Sequence, residues 1–121
     1  MVAYSFKPQF VEPIRWGLGL GLDIADGVVA PKRQTIRAIG KKRHAREGEM
    51  LQLYTGMRTK NCLLIGRARC VEVKSVDLWF VNGSVVATAN GKLYGPRKMK
   101  AFAQADGFND AREMAAFWRK E

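Results

Sequence analysis

The 121-residue chain has little cysteine and histidine, and each shortage excludes a class of site. Cys62 and Cys70 are the only cysteines, and their spacing suits neither a disulfide framework nor a metal site. We expect them to be buried thiols in a reducing compartment. The single histidine, His44, excludes a histidine pair or a histidine-rich metal site. We therefore expect no metal ion and no cofactor.

A long hydrophobic segment is also lacking. The N-terminus has no basic region followed by an apolar run, which argues against a signal peptide. The apolar segment 17–22 is short, rich in glycine and followed by Asp23 and Asp26, so it cannot span a bilayer. We expect a cytoplasmic protein with no membrane partner, built as one domain over residues 1–121.

Positive charge is what the chain has in excess, with 21 Lys and Arg against 11 Asp and Glu. Nine basic residues and only two acidic ones lie between positions 32 and 60. A polyanion is the natural partner of such a surface, because each neutralised phosphate releases condensed counterions. The alternative is a solvated basic face without a ligand. The candidate nucleic-acid-binding residues are Lys32, Arg33, Arg37, Lys41, Lys42, Arg43, Arg46, Tyr54, Arg58 and Lys60.

Hydrophobic spacing and turn residues predict a short helix, then several strands, then two helices. The helices are predicted over residues 8–16, over residues 97–105 with Gly107 as the cap, and after a capping box at Asp110 and Glu113. The predicted strands cover residues 35–39, 50–55, 62–73, 76–81 and 84–89, with Asn82-Gly83 as a type I′ turn. Residues 17–31 are predicted to form a glycine-rich loop. This order indicates an α+β domain in which a curled sheet or small barrel packs against helices.

The predicted strand at 35–39 has alternating chemistry. Successive side chains of a strand point to opposite faces, so Ile36 would join the core while Thr35 and Arg37 face a cleft or solvent. His44 lies between basic residues and is expected at the surface. The three tryptophans occupy apolar periodic positions, which favours the core over a role as stacking platforms. They are Trp16, Trp79 and Trp118.

Several separated motifs resemble the ASCH family, whose domain is a β-barrel of the PUA-like superfamily. They are Lys32-x-x-Thr35-x-Arg37, Gly48-Glu49 before a strand, the run 53–60, and the run 103–108 before a helix rich in Phe and Trp. The resemblance covers most of residues 1–118 and is to the small bacterial and prophage members of the family. The resemblance implies an α+β, PUA-like barrel of about five to six strands with flanking helices. Family members place a glycine where this chain has Ala30, and they commonly add a final strand, which would follow Glu121 here.

The family resemblance implies a basic cleft that binds RNA, another single-stranded nucleic acid or a modified nucleoside. Tyr54 is the aromatic residue expected to stack a base, because it sits beside Arg58 and Lys60. The sequence therefore predicts an RNA-binding protein of the ASCH type.

A hydrolase is the alternative that the resemblance implies. Some relatives are amidohydrolases acting on N4-acylated cytidine with a Lys, a Thr and an acidic residue, which would fall here on Lys32, Thr35 and Asp106. A desolvated Lys32 would have a lowered pKa and could take the Thr35 hydroxyl proton. A Tyr and Lys pair is implicated in metal-independent ribonuclease activity elsewhere in the family, and it would correspond to Tyr54 and Lys60. The structural alternative is that Lys32 and Arg37 only pair with Asp106, and that Thr35 is simply a good strand residue.

Overall fold

A computed structural model describes residues 2–19, 31–40 and 43–120 of the chain. Most of the predicted glycine-rich loop at 17–31, together with Lys41 and Lys42, lies outside the described residues. The described part is α+β. Its strands are β1 (Val2–Phe6), β2 (Met50–Thr55), β3 (Leu63–Arg69), β4 (Val76–Val81), β5 (Ser84–Ala89) and β6 (Lys92–Leu93). Its helices are a short 3-10 helix (Pro8–Phe10), α1 (Val11–Gly17), α2 (Pro96–Ala105) and α3 (Ala111–Lys120).

The two C-terminal helices begin and end where local signals predict. After α2, Gly107 adopts a φ of +96°. Its N–H donates to Gln104 O, while the Phe108 N–H donates to Ala103 O, both at 3.0 Å, which is the Schellman arrangement. At the start of α3 the Asp110 Oδ1 accepts a hydrogen bond from the Glu113 N–H at 2.9 Å. None of the described helices is long and apolar enough to cross a bilayer.

The strands form two three-stranded sheets. In the first sheet β2 lies in the centre, parallel to β1 and antiparallel to β3. In the second, β5 lies between β4 and β6 and is antiparallel to both. No closed barrel forms among the described residues, so the structure shows the α+β class without the barrel. Neither β1 nor β6 is predicted from the sequence.

The second sheet is built from hairpins. Asn82 and Gly83 have φ values of +50° and +76°, which confirms the predicted turn between β4 and β5. Asn90 and Gly91 repeat the arrangement between β5 and β6, with φ values of +53° and +80°. An Asn-Gly pair therefore positions both turns of this sheet, because both central residues need positive φ.

Two strand predictions are wrong. Residues 35–39 form no strand, although their residue types favour one. The strand predicted over 62–73 ends at Arg69, the partner of Met50 where β2 begins, and the backbone of the next residue, Cys70, bonds to the turn at Gly48 and Glu49. Beyond it, Val71 and Val73 are 85% and 53% exposed.

The predicted burial of Trp79 and the cysteines is also wrong. The side chains of β4 alternate, and Val76 and Leu78 pack against the core, so Trp79 points outward and is 57% exposed. Cys62 is exposed and Cys70 half-buried, one at each end of β3. An extended strand of this length separates them by roughly 25 Å, far beyond disulfide distance.

The hydrophobic core brings both sheets and the helices together. Its buried members include Leu53 and Ile65 of the first sheet and Val85 and Ala87 of the second. A cluster of aromatic rings links the helices beside the first sheet. Phe10 packs against Phe108 and Phe117 at centroid distances of 5.6 and 5.2 Å. This cluster packs beneath the basic motif, Lys32-x-x-Thr35-x-Arg37.

Candidate functional site

Helix ends, rather than a neighbouring strand, hold the segment 31–40 that carries the basic motif. The Lys32 N–H donates to Pro13 O of α1 at 2.9 Å. The N–H groups of Arg33 and Gln34 both donate to Ala105 O of α2, at 2.7 and 3.1 Å. The N–H groups of residues 32–34 are thus bonded to carbonyls of helices rather than to a neighbouring strand, just before the β-prone residues 35–39.

Lys32 and Asp106 form a buried ion pair across 74 residues of sequence. The Lys32 Nζ lies 2.9 Å from Asp106 Oδ1, and only 5% and 3% of the two side chains remain exposed. The same ammonium donates to Asp106 O at 2.5 Å. Because Asp106 is the C-cap of α2, Lys32 also places a positive charge at the negative end of that helix dipole.

Two glycines permit this close packing. A Cβ on Gly17 would lie 2.4 Å from Lys32 O. A Cβ on Gly107 would lie 3.1 Å from the Phe10 ring and 3.4 Å from Lys32 Cδ. A larger residue at position 17 would therefore clash with the Lys32 backbone, whereas one at position 107 would make tight contact with the Phe10 ring.

Burial dominates the ionisation of the pair. Burial lowers the pKa of Lys32, and the nearby Asp106 carboxylate opposes that shift. Burial raises the pKa of Asp106, and the nearby Lys32 ammonium opposes that rise. The Trp118 indole also opposes the rise in the Asp106 pKa, although its buried Nε1 makes no hydrogen bond of standard geometry within the described residues. The Lys32 ammonium lies 4.7 Å from the ring centroid of Phe10, a cation–π contact that offsets part of its desolvation.

Arg37 is held just as firmly on the other side of the motif. Its Nε donates to Thr35 Oγ1 at 3.1 Å, and its Nη2 donates to Ser5 O at 2.9 Å. The guanidinium stacks over Tyr4 and Phe6 at 4.8 and 4.7 Å. Burial lowers its pKa, but an arginine stays protonated in proteins. Arg37 is thus a fixed cation whose remaining N–H groups can meet a ligand.

A pocket of about 300 Å³ lies against the ion pair, Thr35 and Arg37. Its aromatic walls come from β1, the 3-10 helix and α3, and its polar groups come from the motif and the end of α2. The aromatic residues are Phe6, Phe10, Phe117 and Trp118. Lys32, Thr35 and Asp106, predicted from separate parts of the sequence, therefore share one pocket, and Ile36 packs partly against the core as expected.

His44 anchors the pocket segment and is half-buried, contrary to the surface position expected. Its Nδ1 lies 3.1 Å from Tyr4 Oη, and its Nε2 lies 2.9 Å from Ala38 O. The Tyr4 hydroxyl accepts a bond from the Ala45 N–H, so we assign it as the donor to Nδ1, and Nε2–H as the donor to Ala38. His44 therefore tethers the segment to β1.

The remaining predicted contacts lie away from the pocket lining. Tyr54 is half-buried on β2, and Arg58 and Lys60 are exposed on the loop between β2 and β3. Arg33 and Arg46 are exposed as well. Lys41 and Lys42 lie outside the described residues.

Arg43 is exposed but already engaged. Its Nη1 and Nη2 donate to both carboxylate oxygens of Glu49 at 2.9 and 2.7 Å. This bidentate pairing neutralises part of the positive charge expected at this end of the site.

Sequence reasoning missed the aromatic walls and the edge strand of the pocket. Trp118 belongs to the apolar stripe of α3, and such a stripe carries no signal that distinguishes a core position from a pocket wall. Ser5 and Phe6 of β1 also line the pocket, as does the next residue, Lys7, and β1 is not predicted from the sequence.

The described residues contain no group of three or more His, Cys, Asp or Glu side chains that could hold a metal ion. Fold and site together define a small α+β protein with an aromatic, cation-rich pocket. Comparison with known proteins found no family model, no curated protein and no solved structure that matches the chain.

Proposed function

We propose that this protein binds single-stranded RNA, with one unstacked base inserted into the pocket and phosphates held by basic residues around it. In this proposal it is a cytoplasmic RNA-binding protein of the ASCH type with a PUA-like barrel, as the sequence resemblance implies. The observation that carries the proposal is the composition of the pocket: aromatic rings surround a few fixed polar groups. Its volume of about 300 Å³ suits a ligand as small as one base.

The pocket offers the two interactions by which proteins recognise unstacked bases. Phe6, Phe117 and Trp118 supply flat apolar surface for a base ring. Arg37 supplies N–H donors and Asp106 supplies an acceptor for groups on the base edge. Because packing holds both side chains, little conformational entropy is lost when a ligand binds.

Positive charge near the pocket supports a ligand that carries phosphates. Lys7 lines the pocket, and Arg33 is exposed next to Lys32. Ser5 Oγ accepts a hydrogen bond from the Met57 N–H at 3.3 Å, so the loop with Arg58 and Lys60 is attached to the pocket edge. A free nucleoside has no phosphate to use these charges, which favours RNA.

Binding of a fluorescein-labelled oligouridylate, followed by anisotropy at 50 to 200 mM salt, tests the proposal. Affinity should fall steeply with salt. Ala38→Phe should weaken binding at least tenfold, because Ala38 is exposed at the pocket and a phenyl ring there would occupy the base site. Ala101→Phe adds the same ring to an exposed position of α2 and serves as the control. A flat salt response, or equal losses in both variants, would contradict the proposal.

A second candidate is amide hydrolysis of an N4-acylated cytidine, favoured by the shared location of Lys32, Thr35 and Asp106. Lys32 would first pass a proton to the adjacent Asp106 carboxylate, and Thr35 Oγ1 would then attack the amide carbonyl while the neutral Lys32 amine accepts the hydroxyl proton. The C–N bond would then break, the amine would leave with the proton from Lys32, and water would hydrolyse the acyl-threonine. Arg37 already donates to Thr35 Oγ1, and Asp106 orients Lys32.

Chromatography of the products from N4-acetylcytidine distinguishes this candidate. The hydrolase hypothesis expects release of cytidine, loss of turnover in Thr35→Val and retained turnover in Thr35→Ser, which keeps the hydroxyl nucleophile. Absence of cytidine with folded wild-type protein would rule it out.

A further inference from the structure

The outer face of the first sheet, opposite the core, carries an uncommon set of side chains. Strand register places Ser5 beside Tyr54, Tyr54 beside Leu64, Gln52 beside Arg67 and Met50 beside Arg69. Side chains paired in this way share one face. Their neighbours in β1 and β2 that point the other way include Phe6 and Leu53, both buried in the core. The outer face is therefore defined by Ser5, Gln52, Tyr54, Leu64, Arg67 and Arg69.

This outer face is cationic and partly apolar. Arg67 and Arg69 are exposed, and Leu64 beside Tyr54 is 41% exposed. None of its six residues is acidic, and neither are Ala3 and Met50, the other residues whose register places them there. The Arg69 Nη1 donates to Gly48 O at 2.7 Å, which leaves the other N–H groups of its guanidinium to meet a ligand.

Ser5 connects the outer face to the pocket. It lines the pocket and lies in register with Tyr54. The loop anchored at Ser5 is compact, because the Thr59 side chain donates to Gly56 O at 2.6 Å and accepts from the Asn61 N–H at 3.1 Å. Arg58, on this loop, has a φ of +67°, a conformation that costs energy for a residue with a side chain.

We propose that the outer face is a track for a single-stranded nucleic acid leaving the pocket past Ser5, with a base stacked on Tyr54 and phosphates on Arg67 and Arg69. This inference rests on the proposed function and extends it to a partner of several nucleotides. Aromatic stacking beside regularly spaced cations is how sheet surfaces bind single strands without strong sequence preference. From Tyr54 to Met50, beside Arg69, the track runs about 13 Å at ~3.3 Å per residue.

A length series of labelled oligouridylates, from two to ten nucleotides, tests the track. In wild-type protein, affinity should rise with length until the strand reaches Arg69. In Arg67→Ala/Arg69→Ala that gain should be lost, while dinucleotide binding stays at the wild-type level. The salt slope of log affinity for the decamer should become shallower by about 1.4, since each contact to a single strand contributes about 0.7.

The matched control is Arg97→Ala/Lys100→Ala, which removes the same charge from exposed positions of α2. It should leave both the length dependence and the salt slope unchanged. Arg67→Ala alone, which keeps the Arg69 bond to Gly48, should reduce the slope by about 0.7 and guards against a folding defect in the double variant.

Each other outcome overturns a specific claim. If the double variant binds the decamer as the control does, the track is wrong while the pocket proposal stands. If wild-type protein binds no oligonucleotide of any length, the proposed function fails and the track fails with it. If labelled polyglutamate binds as tightly as the decamer, and the same double variant no longer binds it, the outer face binds acidic polypeptides and the assignment to nucleic acid is wrong.

Discussion

Replacing Asp106 with Asn tests the buried ion pair most directly. The substitution keeps the size of the side chain but removes the charge that faces the Lys32 ammonium at 2.9 Å. With only 5% and 3% of the two side chains exposed, the remaining charge cannot return to water without opening the site. Breaking such a pair typically costs 3–5 kcal/mol. The backbone carbonyl of Asp106 still accepts its bond from Lys32, so we expect the lower end, about 3 kcal/mol.

Such a loss is large but measurable. A domain of this size is stable by about 5–15 kcal/mol, so Asp106→Asn should still fold, with a Tm lower by roughly 10 °C. Urea denaturation should show a lower midpoint at an unchanged m-value. Lys32→Met should also destabilise the protein, because it leaves the carboxylate unpaired. The double variant should lose less than the two single costs added together, since neither charge is then left alone. A cost below about 0.5 kcal/mol for Asp106→Asn, or strictly additive costs, would refute this reasoning.

Three further predictions concern the supports of the site. Arg43 holds the pKa of Glu49 at about 2, below its ordinary value, so this pair should stabilise the fold above about pH 4.5 and lose its effect as the pH falls toward 2. The Tm difference between wild type and Glu49→Gln should shrink over that range, and parallel Tm curves would contradict it. Gly107→Ala should lower the free energy of unfolding in urea more than Gly91→Ala. Both glycines have positive φ, but of the two only Gly107 would bring a Cβ close to other atoms, 3.1 Å from the Phe10 ring. Equal losses of stability in the two variants would argue against close packing at Gly107. Tyr4→Phe should cost about 1 kcal/mol by removing the hydroxyl between His44 and Ala45, and an unchanged urea midpoint would show that this bond contributes nothing.

Short-range signals in the sequence predicted much of the fold. The Asn82-Gly83 turn and the caps at Gly107 and Asp110 are set by one or two residues with specific backbone needs. The parallel pairing of β1 with β2 depends on residues 49 positions apart, as between Val2 and Leu51, and no local pattern encodes it. The segment 35–39 shows the converse: its residue types favour a strand, yet it forms none, and the residues just before it, 32–34, donate their N–H groups to carbonyls of helices.

Only the polar residues of the site could be predicted from the sequence. The resemblance to a known family pointed to Lys32, Thr35 and Asp106, and the structure places all three at one pocket. Neither charge nor periodicity could show that Trp118 forms a wall of that pocket, because an inward-facing residue of α3 meets either core or cavity depending on what lies opposite. His44 was misjudged for a similar reason: its charged neighbours in sequence say nothing of Tyr4, which approaches from β1.

The central claim, that a base enters the pocket, is tested most directly by nuclear magnetic resonance of the tryptophan indole N–H groups during titration with oligouridylate. The three tryptophans report on different places: Trp118 lines the pocket, whereas Trp16 and Trp79 do not. We predict that the Trp118 signal, assigned by its loss in Trp118→Phe, shifts with a concentration dependence matching the binding curve. The Trp16 signal should stay in place, and the Trp118 shift should disappear in Ala38→Phe. Saturable binding that leaves the Trp118 signal unmoved would contradict the account.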